Sequence, residues 1–413
     1  MSIYYVSACG KDENDGLSPE KALKTVGKAR TLLQSGDTLL LHRGDTFYGQ
    51  IRLPKGLSAD KPSTLGAYGE GKNPILSQYK IAHPDAWEKV SDNIYRIDLL
   101  DPTKYDGNTV DQDDNVGFIK VSGKIFPHKI FEYEKLASQW DFFSEKQYMY
   151  VYSEKNPAEL SDDIRIACNI HCMLFTENMK VENITFMGTG AHGICSIGSY
   201  ALITHCEFHE IGGSHLKGFS TANTRYGNGV ECGHNSHDIT VEYCKFSGIY
   251  DVAVTMQGCP NEHNWENVHF DNNIMWNNQH SFEIWCSGDL PNSGFVNCSF
   301  NNNLCIESGY GWSYAVRPDK TASTHLLMYG LHCPLCDITV TGNTFVNARN
   351  MTIFKTGGTS QIPKDYRIFG NTVICPEGQP LAWKDDTSDE EYAAYIQKIE
   401  EENTVYRHTV FTL

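Results

Sequence analysis

Apolar and polar residues alternate in short runs along most of the chain. The runs "VENITFMG" (181–188), "ITHCEFHE" (203–210), "VEYCKFSG" (241–248), "FDNNIMWN" (270–277), "FVNCSFNN" (295–302), "VTGNTFVN" (340–347) and "IFGNTVIC" (368–375) share one plan. An apolar position and a polar spacer lead to Asn or Cys, then one residue, then a second apolar position. Alternation with a period of two over so few residues predicts strands with one buried face. A second apolar strand follows several of these runs, in "HGICSIG", "DVAVTMQG", "SFEIWCSG" and "NMTIFKTG".

The repeat predicts a solenoid. Taking Phe186, Phe208, Phe246, Met275, Phe300, Phe345 and Val373 as anchors, the shortest spacing, Phe186 to Phe208, is one coil of a parallel β-solenoid. Such coils stack strands about 4.8 Å apart. Asn and Cys recurring at turns predict inward ladders of like residues that satisfy one another's hydrogen bonds. Longer spacings mean loop insertions, chiefly at 212–227 and 308–332, and insertions on repeat folds collect on the binding face. At the ends, the pattern predicts a capping helix over 18–33, with Ser18 as N-cap and Pro19 in the first turn, and an amphipathic helix over 388–403. Residues 84–165 break the rhythm with "NIYRID", "GFIKVSGKIFP" and "KQYMYVYSEKNP", which predict antiparallel strands. The expected organisation is therefore an all-β chain. Residues 1–83 hold the cap and first coils, 84–165 an inserted antiparallel subdomain, 166–380 the main β-helix, and 381–413 a helix and tail.

Charge narrows the partners. Lys and Arg number 34 against 51 Asp and Glu, a formal net charge of −17. That excludes nucleic acid and anionic membrane surfaces as expected partners, since both are bound through clustered cations. The first residues carry no charged segment followed by an apolar one, and no run of about 18 apolar residues occurs. The expectation is a cytoplasmic protein, or a secreted or periplasmic one from which a leader was removed. Many of the fourteen cysteines sit inside apolar strand patterns and are read as reduced core residues.

"YYVSACGKDENDGLSPEKALKTV", "GDTLLLHRGDTFYG", "PSTLGAYGEGKNPILS" and "YGNGVECGHNSHDITVEYCKFSGIYDVAVTMQG" carry a family resemblance. They resemble right-handed parallel β-helix carbohydrate-active enzymes of the pectate-lyase-like type. The similarity is nearest to bacterial β-helix glycosidases such as the β-xylosidase type and covers roughly residues 1–380. The resemblance implies the right-handed hand and a carbohydrate substrate. "GAHGICSIGS" keeps His192-Gly193 of the polygalacturonase Gly-His-Gly turn but has Ala191 before it, and the companion motifs are missing. No acidic row beside a Lys or Arg base, as in calcium-dependent pectate lyases, is evident. The β-xylosidase type is similar in placing an Asp on one coil and a Glu on the next.

Aligning the second strands by Gly258, Gly288 and Gly357 puts Asp251 level with Ser281 and Ala253 level with Glu283. Asp251, Ala253, Thr255 and Gln257 then face outward, with Glu283 and Trp285 on the next coil and Glu231 near Thr255 on the previous one. Glycoside cleavage needs paired carboxylates, one to protonate the leaving oxygen and one as nucleophile or base. Asp251 and Glu283 are the expected catalytic pair. Glu231 is the expected acceptor of a sugar hydroxyl, or an alternative acid. Trp285, Tyr310, Trp312 and Tyr226 are candidate sugar-stacking residues. Arg225, Asn228, His280 and Gln257 are candidate hydroxyl partners, and Arg317 is a candidate carboxylate clamp.

The sequence thus predicts a glycoside hydrolase without cofactor or metal. The first alternative is a polysaccharide lyase or uronate epimerase, with His280 or Arg317 as the basic group and calcium as its companion. The second is a non-catalytic carbohydrate-binding solenoid.

Overall fold

The computed structural model describes residues 1–108, 115–196, 198–218, 223–258, 264–286, 291–317, 322–329 and 333–409. Three parallel sheets wind into a β-helix. The first has ten strands, from Ile3–Val6 through Thr38–His42 to Tyr366–Phe369. The second also has ten, from Thr46–Tyr48 to Thr404–His408, and the third has eight, from Ile51–Arg52 to Met351–Lys355. This is the right-handed parallel β-helix that the repeat pattern and the resemblance imply.

The alternating pattern turns one residue set inward. On the second sheet Leu76, Phe186, Phe208, Phe246, Met275, Cys305, Phe345 and Val373 lie level on successive coils. Phe186, Phe208 and Phe246 are fully buried and stack face to face, with centroids 5.1 and then 4.7 Å apart. Each ring removed from water contributes about 2–3 kcal/mol. The expected anchor Phe300 is not in this row. It belongs to the first sheet, in Gly294–Asn301, and Cys305 takes its place. Both strands of a coil carry the same apolar-polar alternation, so the pattern alone does not say which sheet a run joins.

At the corner between these sheets the expected ladder forms. The Asn273 backbone N–H donates to Asn303 Oδ1 at 2.8 Å, Asn303 to Asn343 at 2.8 Å, Asn343 to Asn371 at 2.9 Å, and Asn371 to Asn403 at 2.9 Å. Further up, Cys244 caps the stack by donating to Asn273 Oδ1. The residue before four of the ladder positions, Asn272, Asn302, Gly342 and Gly370, has positive φ. Asn and Gly accept that left-handed backbone most readily. Most of the thirteen described cysteines are buried.

The N-terminal helix is shorter than its pattern predicts. One 3-10 turn, Pro19–Lys21, is followed by a short helix, Val26–Arg30, which is capped by Thr25 rather than Ser18. The break falls at Leu23, whose backbone pairs with Tyr5 and Ser7 on the first strand. The C-terminal helix Asp389–Glu402 does start at Ser388, with a capping box to Glu391. The strand Thr404–His408 follows it and closes the second sheet.

Between Tyr79 and Ala167 the chain leaves the solenoid. It builds one five-stranded and one four-stranded antiparallel sheet around Trp87, Ile97, Ile119, Trp140, Phe142 and Val151. It then returns so that Met173–Leu174 pairs with Ile51–Arg52.

Candidate active site

The third sheet carries the carboxylates. Its strands Val230–Cys232, Val252–Gly258 and His280–Cys286 place Glu231 level with Thr255, and Thr255 level with Glu283. Val230, Val254 and Phe282, one residue earlier, are buried in the core. Alternate residues share a face, so Glu231, Thr255 and Glu283 form one outward row. Gln257, Trp285 and Tyr329 form the next. Glu231 and Glu283 are two strand spacings apart, roughly 10 Å between Cα atoms. Thr255 stands between them and donates its hydroxyl to Glu283 Oε2 at 3.1 Å.

This register differs by two residues from the glycine alignment, because Gly258 lies level with Cys286, not with Gly288. Thr255, not Ala253, faces Glu283. A slip of two keeps every side chain on its own face, so alternation could not expose it. The inward layers Val254–Phe282–Leu326 and Met256–Ile284–Met328 decide it.

Glu231 is held as an anion. Burial alone would raise its pKa. His192 Nε2 at 2.9 Å, Gln257 Nε2 at 2.7 Å and Asn228 Nδ2 at 3.0 Å reverse this by donating to Oε2, and they hold the carboxyl well below the ordinary range. No described residue donates to Oε1. Hydrogen bonds fix the tautomer of His192. Its Nδ1 accepts the Asn228 backbone N–H at 2.9 Å, and a backbone N–H can only donate. The same argument applies to His171, which stacks on His192 at 5.1 Å and accepts the His192 backbone N–H on Nδ1 at 3.2 Å. Burial lowers its pKa to about 4.

Glu283 is held as an acid. It is 9% exposed in the strand, and burial, followed by the charge of Asp251, pushes its pKa up to about 8. Arg317 and the Thr255 hydroxyl oppose that rise without cancelling it. Asp251 opens the same strand. The Arg317 guanidinium binds its Oδ1 at 2.7 Å and lies over the Tyr250 ring.

All three carboxylates line one cleft of about 530 Å³, together with Tyr226, Asn228, Gln257 and Trp285. His171, His192, His234 and Tyr329 line it too, and sequence reasoning did not single them out as site residues. His192 stood in the "GAHG" turn and could have been carried forward. His171 has no local signal and reaches the cleft only through coil stacking. Arg225 also lines the cleft, but its guanidinium donates to the carbonyls of Gly213, Pro127 and Gly117. It ties the hairpin Ser214–His215/Arg225–Tyr226 to the inserted subdomain. The described lining does not include Arg317, His280, Tyr310 or Trp312. His280 is fully buried and shares the inward face of Phe282 and Ile284. Trp312 donates to the Gly248 carbonyl and packs on Phe118 and Tyr250. Tyr310 lies under Arg349. Among the described residues, no group of three or more His, Cys, Asp or Glu side chains is arranged to hold a metal ion.

No protein-family model and no curated protein matches this chain. Solved structures do. A GH136 lacto-N-biosidase from Eubacterium ramulus superposes with a TM-score of 0.50 at 13% identity, covering 98% of this chain and 68% of that one. XylC in complex with xylose gives 0.46 at 12% identity, covering 98% and 82%. A rhamnogalacturonan lyase gives 0.45 at 12% identity, covering 100% and 90%. The fold they share with this chain is the parallel β-helix of carbohydrate-active enzymes.

Proposed function

We propose that the protein is a glycoside hydrolase, with Glu283 as general acid and Glu231 as the opposing carboxylate. One observation carries this reading. Two carboxyls flank Thr255, one kept ionised by three donors and the other kept protonated by burial. Hydrolysis of a glycosidic bond asks for this division of roles. Glu283 delivers its proton to the leaving oxygen. Glu231 takes a proton from the attacking water on Oε1, the oxygen to which no described residue donates. The two strands put roughly 10 Å between the Cα atoms, and a carboxyl separation of about 6.5–9.5 Å within that span would leave room for that water and give inversion at the anomeric carbon. Asp251 assists from the strand mouth by keeping Glu283 protonated, which is a different role from the catalytic one expected for it from sequence. Trp285 supplies an apolar face for a sugar ring.

The β-helix structures similar to this chain include lyases as well as hydrolases. A lyase needs a basic side chain beside the proton it removes. The two candidates named from sequence weigh against that alternative, because His280 points into the core and Arg317 is engaged by Asp251.

The test is to incubate the protein with a panel of oligosaccharides and aryl glycosides. New reducing ends without the near-ultraviolet absorbance of an unsaturated sugar are expected. Glu283→Gln and Glu231→Gln should each lower kcat by about 10³. An absorbing product, or unchanged kcat in both variants, overturns the reading.

A further inference from the structure

The cleft is built for an uncharged sugar, and we infer that the substrate is a neutral glycan rather than a uronate-containing one. The inference rests on the hydrolase reading of the same site and adds the substrate class to it. A sugar carboxylate needs a cation with donors to spare, most often an arginine fork. Two arginines are tied to this site, Arg225 in its lining and Arg317 through the lining residue Asp251, and both are engaged. Arg225 gives three N–H groups to the backbone carbonyls of Gly213, Pro127 and Gly117, at 2.6, 3.0 and 2.7 Å. Arg317 is bound to Asp251 at 2.7 Å. Redirecting Arg225 would strand three buried carbonyls, and redirecting Arg317 would break its ion pair with the half-buried Asp251. No lysine lines the cleft among the described residues.

The imidazoles do not supply the charge. His171 and His192 each accept a backbone N–H on Nδ1, and His192 already gives its Nε2 to Glu231. A uronate placed between Glu231 and Asp251 would meet like charge in a partly desolvated space, which disfavours it strongly. The cleft offers other means of recognition. Trp285 and Tyr329 lie level on adjacent strands, and Tyr329 is 51% exposed. Together they form an aromatic platform for the apolar face of a neutral ring. His234, exposed at the rim, adds an imidazole to the lining.

Matched 4-nitrophenyl probes test this directly: glucoside against glucuronide, galactoside against galacturonide, with a xyloside as the unsubstituted pentose. Neutral and acidic trisaccharides are titrated calorimetrically into the Glu283→Gln protein, so that uncleaved pairs still report. The expected result is a kcat/KM, or an affinity, at least 100-fold higher for the neutral member. Equal or better use of the uronate overturns the inference and leaves the hydrolase reading standing. An unsaturated product overturns the hydrolase reading itself. Failure of both members of every pair to bind overturns the sugar cleft.

Discussion

Glu283 is a carboxyl whose surroundings favour its proton. Its folded pKa of about 8 lies above its ordinary value of 4.5, so its stabilising contribution is complete below about pH 4.5 and is lost progressively as pH climbs to about 8. Glu283→Gln removes that loss. The variant should melt at a higher temperature than the parent above about pH 8 while losing its activity, and paired melting curves at pH 6 and 9 check both. The activity profile follows the same group. kcat/KM should fall as pH rises through about 8. Asp251→Asn removes the neighbouring charge that helps keep Glu283 protonated, so the falling limb should move toward lower pH by about one unit. Gln257→Ala removes one of the three donors on Glu231 and should shift the acid limb upward. At this scale the sequence showed which side chains face out, because parity is written in the alternation. It did not show that Arg317, sixty-six residues beyond Asp251, closes on that carboxylate, nor that Asn228 sets the His192 tautomer. Both depend on atoms brought together by coil stacking rather than by any local pattern.

Strands and turns were the most legible elements, and register was the least. Seven runs with one plan announce stacked coils, and Asn at the turns announces the ladder. A register two residues off satisfies the same alternation, and only the fit of Val254, Phe282 and Leu326 in the core distinguishes the two. The ladder also has a measurable consequence. Asn303 accepts two donors from Asn273 and donates to the Phe270 carbonyl and to Asn343. Asn303→Ala should cost about 2–5 kcal/mol, since it leaves buried groups unmet on both neighbouring coils. Asn403, last in the row, has no Asn beyond it, and Asn403→Ala should cost less. Chemical denaturation of both variants ranks them. Arg225→Met frees three carbonyls and loosens the hairpin that bears Tyr226. It should raise KM several-fold with a smaller change in kcat.

For the molecule as a whole, the net charge of −17 and the committed arginines point the same way, toward a partner without strong negative charge. The inserted subdomain was legible as an interruption. Its part in bracing the cleft wall was not, because the bracing runs through backbone carbonyls that no residue type announces. The same insertion governs the order of assembly. Ile51–Arg52, Ser63–Tyr68 and Ile75–Ser77 find their next strands only at Met173–Leu174, Met179–Glu182 and Thr185–Thr189. On a ribosome adding about 5–20 residues per second, the first coils would wait roughly 5–20 s with three open edges before those partners emerge. During that wait the antiparallel insert, with a core of its own, can close and hold the two ends of the gap near one another. The early coils are therefore the part of the nascent chain most exposed to pairing with a stranger.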